Sequence, residues 1–211
     1  ATEIMHSNPQ QKYYYWSRNE KIEYIADGIK TKGILYYPAD FKANKKYPMV
    51  VHIYERQFSY LNDYINPSMI SNTGFNVNNY TANGYFVLFP DINYEFGNLK
   101  KSVTNSVLAA VDAAVAKGYV NATKVGLIGH SFGGYETDLI ITQTDRFAAA
   151  VSGAAWTDLV SSYLYVGPLF RRPDFFRTED HQIRIGKSLF EDMKSYLNNS
   201  PILLASRVNS P

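Results

Sequence analysis

Four short runs of consecutive apolar residues, at 49–54, 85–90, 125–128 and 147–151, constrain this chain more than any other feature. Continuous rather than alternating runs of this length are the pattern of strands buried on both faces. Between the second and third lies a helical stretch, 102–117, in which Val103, Val107, Val111 and Val115 recur at four-residue steps. Leu108 widens that stripe and Gly118 supplies a stop. Strand and helix in alternation predict an α/β domain, a mostly parallel sheet with helices on both faces.

Ahead of these runs, 21–26 and 29–37 are β-prone and separated by Asp27-Gly28, which predicts a hairpin. Residues 38–46 read as a polar loop, and 55–82 as a loop-and-helix excursion rich in Asn and Tyr. Residues 156–199 read as helices interrupted by an irregular stretch with aromatic and Arg residues at 168–176. The first twenty residues form a connector in which the Tyr13-Tyr14-Tyr15-Trp16 rings are expected to pack on something, since solvated tails are poor in aromatics.

Composition narrows the function classes. The 21 Lys and Arg nearly balance the 19 Asp and Glu, and 45% of the 211 residues are hydrophobic. That argues for one folded domain and against disorder or a nucleic-acid surface. None of the apolar runs approaches the roughly 20 residues needed to span a bilayer. The absence of cysteine excludes disulfides, thiolate zinc sites and a cysteine nucleophile.

The chemistry rests on Gly129-His130-Ser131-Phe132-Gly133-Gly134. A strand, 124–128, runs straight into this G-x-S-x-G match and a helical segment, 135–144, follows, which is the nucleophile-elbow arrangement. The serine must sit on a strained turn so that its hydroxyl projects above the sheet. Residues two before and two after it pass close to neighbouring backbone, and Gly129 and Gly133 meet that need. The following helix points its N-terminus at the site, which favours developing negative charge. His130 adjoins Ser131 but points away on such a turn, and His52 sits mid-run as a core histidine.

These segments resemble the catalytic domain of prolyl oligopeptidase-type serine peptidases, an α/β-hydrolase fold. The resemblance rests on Lys45-Lys46-Tyr47-Pro48 leading into 49–54, on 84–90, on 118–135 and on 152–163. It implies that the Tyr54 hydroxyl and the main-chain N–H of Phe132 form the oxyanion hole for a Ser131 nucleophile, although Glu55-Arg56-Gln57 stands where the family usually has Gly-Gly-Pro. It further implies that Trp156, Leu159 and Tyr163 wall the pocket for the residue preceding the cut bond. Leu159 stands where another tyrosine is often found, which makes the pocket apolar but less tailored to proline. Arg171 and Arg172 are either an anchor for a peptide carbonyl or carboxylate, or a solvated pair.

In this fold the acid and then the His follow the serine in chain order, and the resemblance places both beyond Pro211. His181, directly after Asp180, lies in the helix-rich excursion and is poorly placed to act as base. Residues 21–211 are thus expected to be a partial catalytic domain lacking its last strands, and Ser7-Asn8-Pro9-Gln10-Gln11 resembles the junction after an upstream β-propeller. The expected function is hydrolysis of short peptides through an acyl-enzyme, with no metal or cofactor, the isolated chain being inactive. The strand 147–151, left as an edge, is expected to support a homodimer. The resemblance favours a periplasmic or extracellular setting. A carboxylesterase on the same scaffold and a non-catalytic binding module are the alternatives; Tyr54, in place of a His-Gly-Gly-Gly loop, favours the peptidase.

Overall fold

The computed structural model describes residues 9–69, 71, 73–168 and 171–211. His6 and the Ser7-Asn8 part of the expected junction lie outside them, as do Leu169 and Phe170 of the irregular stretch.

Asp27 and Gly28 both take left-handed angles (φ 49° and 77°), the two-residue turn whose twist suits a hairpin, and β1 (Asn19–Ala26) runs antiparallel to β2 (Ile29–Tyr36). There follow β3 (Tyr47–Ile53), α1 (Val77–Thr81), β4 (Phe86–Pro90), α2 (Leu99–Ala116), β5 (Val120–His130), α3 (Phe132–Ile141) and β6 (Ala149–Gly153). Short helices α4 (Leu159–Leu164), α5 (Phe175–Glu179) and α6 (Met193–Asn198) make up most of the remainder. The strands lie in the order β1-β2-β4-β3-β5-β6, with β2 antiparallel to β4 and β4, β3, β5 and β6 parallel.

This order decides where a site can form. The chain steps from β3 to β4 in one direction and from β4 over β3 to β5 in the other. Right-handed crossovers then carry α1 and α2 to opposite faces. Period-two alternation along β2 and β4 shows the division. Leu35, Phe86 and Leu88 pack with α2 and α3 through Val103, Val107, Tyr135 and Leu139, whereas Ile34, Tyr36, Val87 and Phe89 pack with Val77 of α1. Each fully buried Leu, Val or Phe contributes about 1.5–3 kcal/mol. The crevice at the carboxyl ends of β3 and β5, where chain leaves to opposite faces, is the usual location of a ligand site in an open α/β sheet.

Both faces carry helices, but unequally. All of β4 is buried, as its continuous apolar run predicts. In β3 only Tyr47, Met49, Val51 and Ile53 are fully buried, because α1 is five residues long and covers the second face over β4 rather than over β3 and β5. The last strand begins two residues later than its apolar run: Phe147 is buried ahead of it, and Val151 is 56% exposed. Its outer edge is partly occupied, since the Ala150 N–H donates to the Pro211 carbonyl (3.0 Å) and the Ser210 hydroxyl to the Phe147 carbonyl (2.9 Å).

The N-terminal rings depart from expectation. Tyr13, Tyr14 and Tyr15 are exposed, because no element among the described residues reaches over them, and the Trp16 ring alone of the four meets another ring, that of Tyr64 (5.9 Å).

Candidate active site

β5 ends at His130 and α3 begins at Phe132, so Ser131 makes the whole turn, with φ 58° and ψ −119°. A non-glycine residue there costs about 1–3 kcal/mol and persists only where its surroundings over-determine it. They do so here. The Ser131 N–H donates to the Gly153 carbonyl of β6 (2.7 Å) and the Tyr135 N–H to the Ser131 carbonyl (3.1 Å). A Cβ on Gly129 would stand 2.0 Å from the Gly133 oxygen, one on Gly133 2.2 Å from the Ile53 oxygen, and one on Gly134 2.6 Å from the Gly153 oxygen. The first two positions match the sequence expectation; the third shows that the elbow is also wedged against β6. As the first residue of α3, Phe132 presents a main-chain N–H that no helical carbonyl takes, while its side chain is fully buried among Tyr54, Tyr94 and Tyr135.

Tyr54 leaves the carboxyl end of β3, the strand beside β5. Its ring stands edge-on to Phe132 (6.5 Å), and its hydroxyl accepts from Gln182 Nε2 (3.3 Å). The loop that replaces the family's glycines turns at Glu55 (φ 45°) and is tied down by Asp91, whose Oδ1 accepts from the Gln57 and Phe58 N–H groups (2.6 and 2.9 Å). Glu55 pairs with Arg184 (3.0 Å).

Ser131 opens on a cavity of about 450 Å³ whose lining includes Trp156, Tyr165, Asp174, Arg177 and Thr178. Of the three residues expected to wall a pocket, Trp156 lines this cavity. Leu159 does not: it is fully buried in the main core, where its N–H meets the Ser200 hydroxyl (3.0 Å), so it cannot line a pocket. Tyr163 turns instead to Glu179, donating to Oε1 (2.6 Å), and packs on Phe175, Phe190 and Tyr196. Ser161 and Ser162 join the lining beside the Asp174–Arg177 pair (3.6 Å). Arg172 also lies 3.5 Å from Asp174 and is half exposed.

Of the described histidines, His52 and His181 stand apart from Ser131, and His130, which adjoins it in the chain, has its ring beside Gly153 of β6. His52 stacks on Phe75 (4.3 Å) and bonds Gln57 (3.0 Å), and burial holds its pKa down at about 4. His181 is exposed, with its ring near Phe176. Among the described residues no histidine hydrogen-bonds to Ser131.

One group was missed from the sequence. Glu136, one turn into α3, is fully buried, and its Oε1 accepts from the Tyr94 hydroxyl (2.5 Å) while Oε2 has no partner. Burial pushes its pKa up to about 8. The available signal was weak, since Glu136 shares α3 with a second carboxylate, Asp138, and only the packing shows which of them is fully buried. Because the folded pKa lies above the unfolded value of about 4.5, the folded state binds the extra proton. The resulting stability is complete below that value and is lost as pH rises through about 8. Glu136→Gln keeps the acceptor for Tyr94 without the titration. Its stability relative to the parent should therefore rise by up to roughly 1.4 kcal/mol per pH unit between pH 5 and 8, read from urea midpoints. A constant difference across that range would reject a buried neutral Glu136.

The sheet order, the elbow and the crevice are those of an α/β-hydrolase. Acylaminoacyl peptidase from Pyrococcus horikoshii superposes with a TM-score of 0.72 at 16% identity, over 95% of this chain and 32% of that one. Dipeptidyl peptidase 4 from Porphyromonas gingivalis superposes with a TM-score of 0.69 at 20% identity, over 95% of this chain and 28% of that one. The chain belongs to the prolyl oligopeptidase family, whose model matches residues 75–205. Among curated relatives, the uncharacterized peptidase YuxL of Bacillus subtilis (strain 168) is 27% identical over 201 residues, covering 91% of this chain and 29% of that protein. The chain thus spans less than a third of the length of these relatives.

Proposed function

We propose that this chain carries the nucleophile of a serine peptidase that cleaves short peptides through an acyl-enzyme on Ser131. The observation that carries the reading is the strained, glycine-wedged turn that aims Ser131 into the cavity at the carboxyl ends of β3 and β5. The Phe132 N–H and the Tyr54 hydroxyl serve as oxyanion donors, and Trp156 with Tyr165 takes the residue before the cut bond. Since no described histidine bonds Ser131, the base and its acid come from polypeptide outside these 211 residues, in a longer enzyme.

Covalent trapping tests this. A peptidyl phosphonate is expected to label the longer enzyme once, at Ser131, at a rate that depends on the peptide. A label on another residue, or a rate indifferent to the peptide against a simple alkyl phosphonate, would reject the peptidase reading; the second outcome favours an esterase.

We also propose that the 211-residue chain pairs with a second copy along β6. Support comes from its edge position, with Val151 exposed and Ala150 alone tied outward, to Pro211. Sedimentation velocity should show dimers at high concentration; a clean monomer there rejects the proposal.

A further inference from the structure

Tyr54 can stabilise an oxyanion only if its proton is free to donate. A tyrosine hydroxyl has one proton and accepts through its oxygen, so what its neighbours do to that oxygen decides where the proton points. The neighbour here is Gln182, 4% exposed, whose Nε2 lies 3.3 Å from the Tyr54 hydroxyl oxygen. The other end of the same amide, Oε1, lies 3.0 Å from Arg177 Nη1.

Arginine has five donors and no acceptor. It can face only the oxygen end of the Gln182 amide, and the NH₂ end is thereby turned onto Tyr54. Tyr54 must then accept, and among the described residues nothing takes its proton. The direction of donation, Arg177 to Gln182 to Tyr54, follows from the chemistry of the guanidinium.

The backbone holds this chain in place. Ile183, Ile185 and Gly186 donate their N–H groups to the carbonyls of Arg177, Thr178 and Glu179, each at 2.8 Å, which closes the segment after α5 onto α5 itself. Ile183 and Ile185 are buried on either side of Arg184, and Arg184 reaches the carboxylate of Glu55, the residue after Tyr54, at 3.0 Å. One segment therefore grips both Tyr54 and the turn that follows it. Arg177 and Ile183 also line the cavity that holds Ser131.

We propose that Gln182 and Arg177 are positioning residues of the oxyanion hole, fixing Tyr54 as an acceptor from the protein so that its proton is reserved for the substrate oxygen. The inference rests on the oxyanion role proposed above for Tyr54, and the experiment separates the two.

The informative substitution is Gln182→Glu, made in the longer enzyme. It preserves shape and keeps a partner for Arg177, but a carboxylate accepts where the amide donated, and it captures the Tyr54 proton. With a peptide anilide, kcat is expected to fall about 100-fold, the lower end of the roughly 10² to 10³ seen for losing one oxyanion donor, with KM little changed. In a Tyr54→Phe background the same substitution should have no further effect. Arg177→Met, which frees the amide to turn over, should lower kcat in the same direction and keeps the proposal testable if Gln182→Glu folds poorly. A second readout does not depend on turnover: 3-fluorotyrosine at position 54, followed by ¹⁹F NMR, should titrate at higher pH in Gln182→Glu by about one unit or more, since a carboxylate acceptor disfavours the phenolate. An unmoved midpoint overturns the relay. A moved midpoint with unchanged kcat overturns the oxyanion role of Tyr54, and the proposal with it.

Discussion

The 211-residue chain by itself is expected to hydrolyse a chromogenic peptide at no measurable rate, even though Ser131, the proposed nucleophile, sits on a strained strand-to-helix turn. A serine hydroxyl is a weak nucleophile near neutral pH and needs a base to take its proton. The same base must then protonate the leaving amine. His52 is committed to Gln57 on the far face and kept neutral by burial, and His181 is exposed beside Phe176. The oxyanion donors proposed above, the Phe132 N–H and Tyr54, would stabilise charge without transferring a proton. Residual catalysis without the full triad is roughly 10³ to 10⁴ over water, too slow to see against uncatalysed amide hydrolysis. The longer enzyme, assayed beside it, should turn over readily and lose that activity in Ser131→Ala. Comparable turnover by the 211-residue chain, abolished by Ser131→Ala, would show that a base lies within it, and His181→Ala would be the next variant to make.

Gly129→Ala is expected to remove more than about 4 kcal/mol of stability, a large fraction of a domain total of about 5–15 kcal/mol. The new methyl would meet the Gly133 carbonyl at 2.0 Å and the Thr137 hydroxyl at 2.8 Å. Those neighbours belong to α3, which is packed against β5 and β6, so relief requires moving the elbow as a body. Gly126→Ala is the control on the same strand: its Cβ would find the Ala149 oxygen at 3.7 Å, an ordinary contact. Urea denaturation of both variants checks the expectation. Gly129→Ala within 1 kcal/mol of the parent would show that the turn is far more pliable than its geometry implies.

The elbow was legible because everything it needs is local. Gly129 and Gly133 clear space for one turn, the strand and helix on either side have their own periodicities, and left-handed angles at Asp27-Gly28 follow from residue type alone. The helix α2, stopped just ahead of Gly118, and the buried strand β4 were readable for the same reason. The pocket was not. Leu159 and Tyr163 occupy the positions that a family pattern assigns to a wall, yet one faces the core and the other Glu179, because α4 is oriented by contacts with α5 and α6.

By itself, then, the sequence determined where strands and helices lie, which serine sits on a strained turn, and that a parallel sheet must carry it. Those properties depend on steric and periodic rules acting within about ten residues. Tertiary structure alone decided that β4 enters between β2 and β3, that Glu136 is buried under Tyr94 with its pKa raised, and that Gln182 meets Tyr54 across 128 residues of chain. Such pairings reflect which distant surfaces pack together, and a buried polar group acquires its partner, its pKa and its direction of donation only once that packing has removed water from around it.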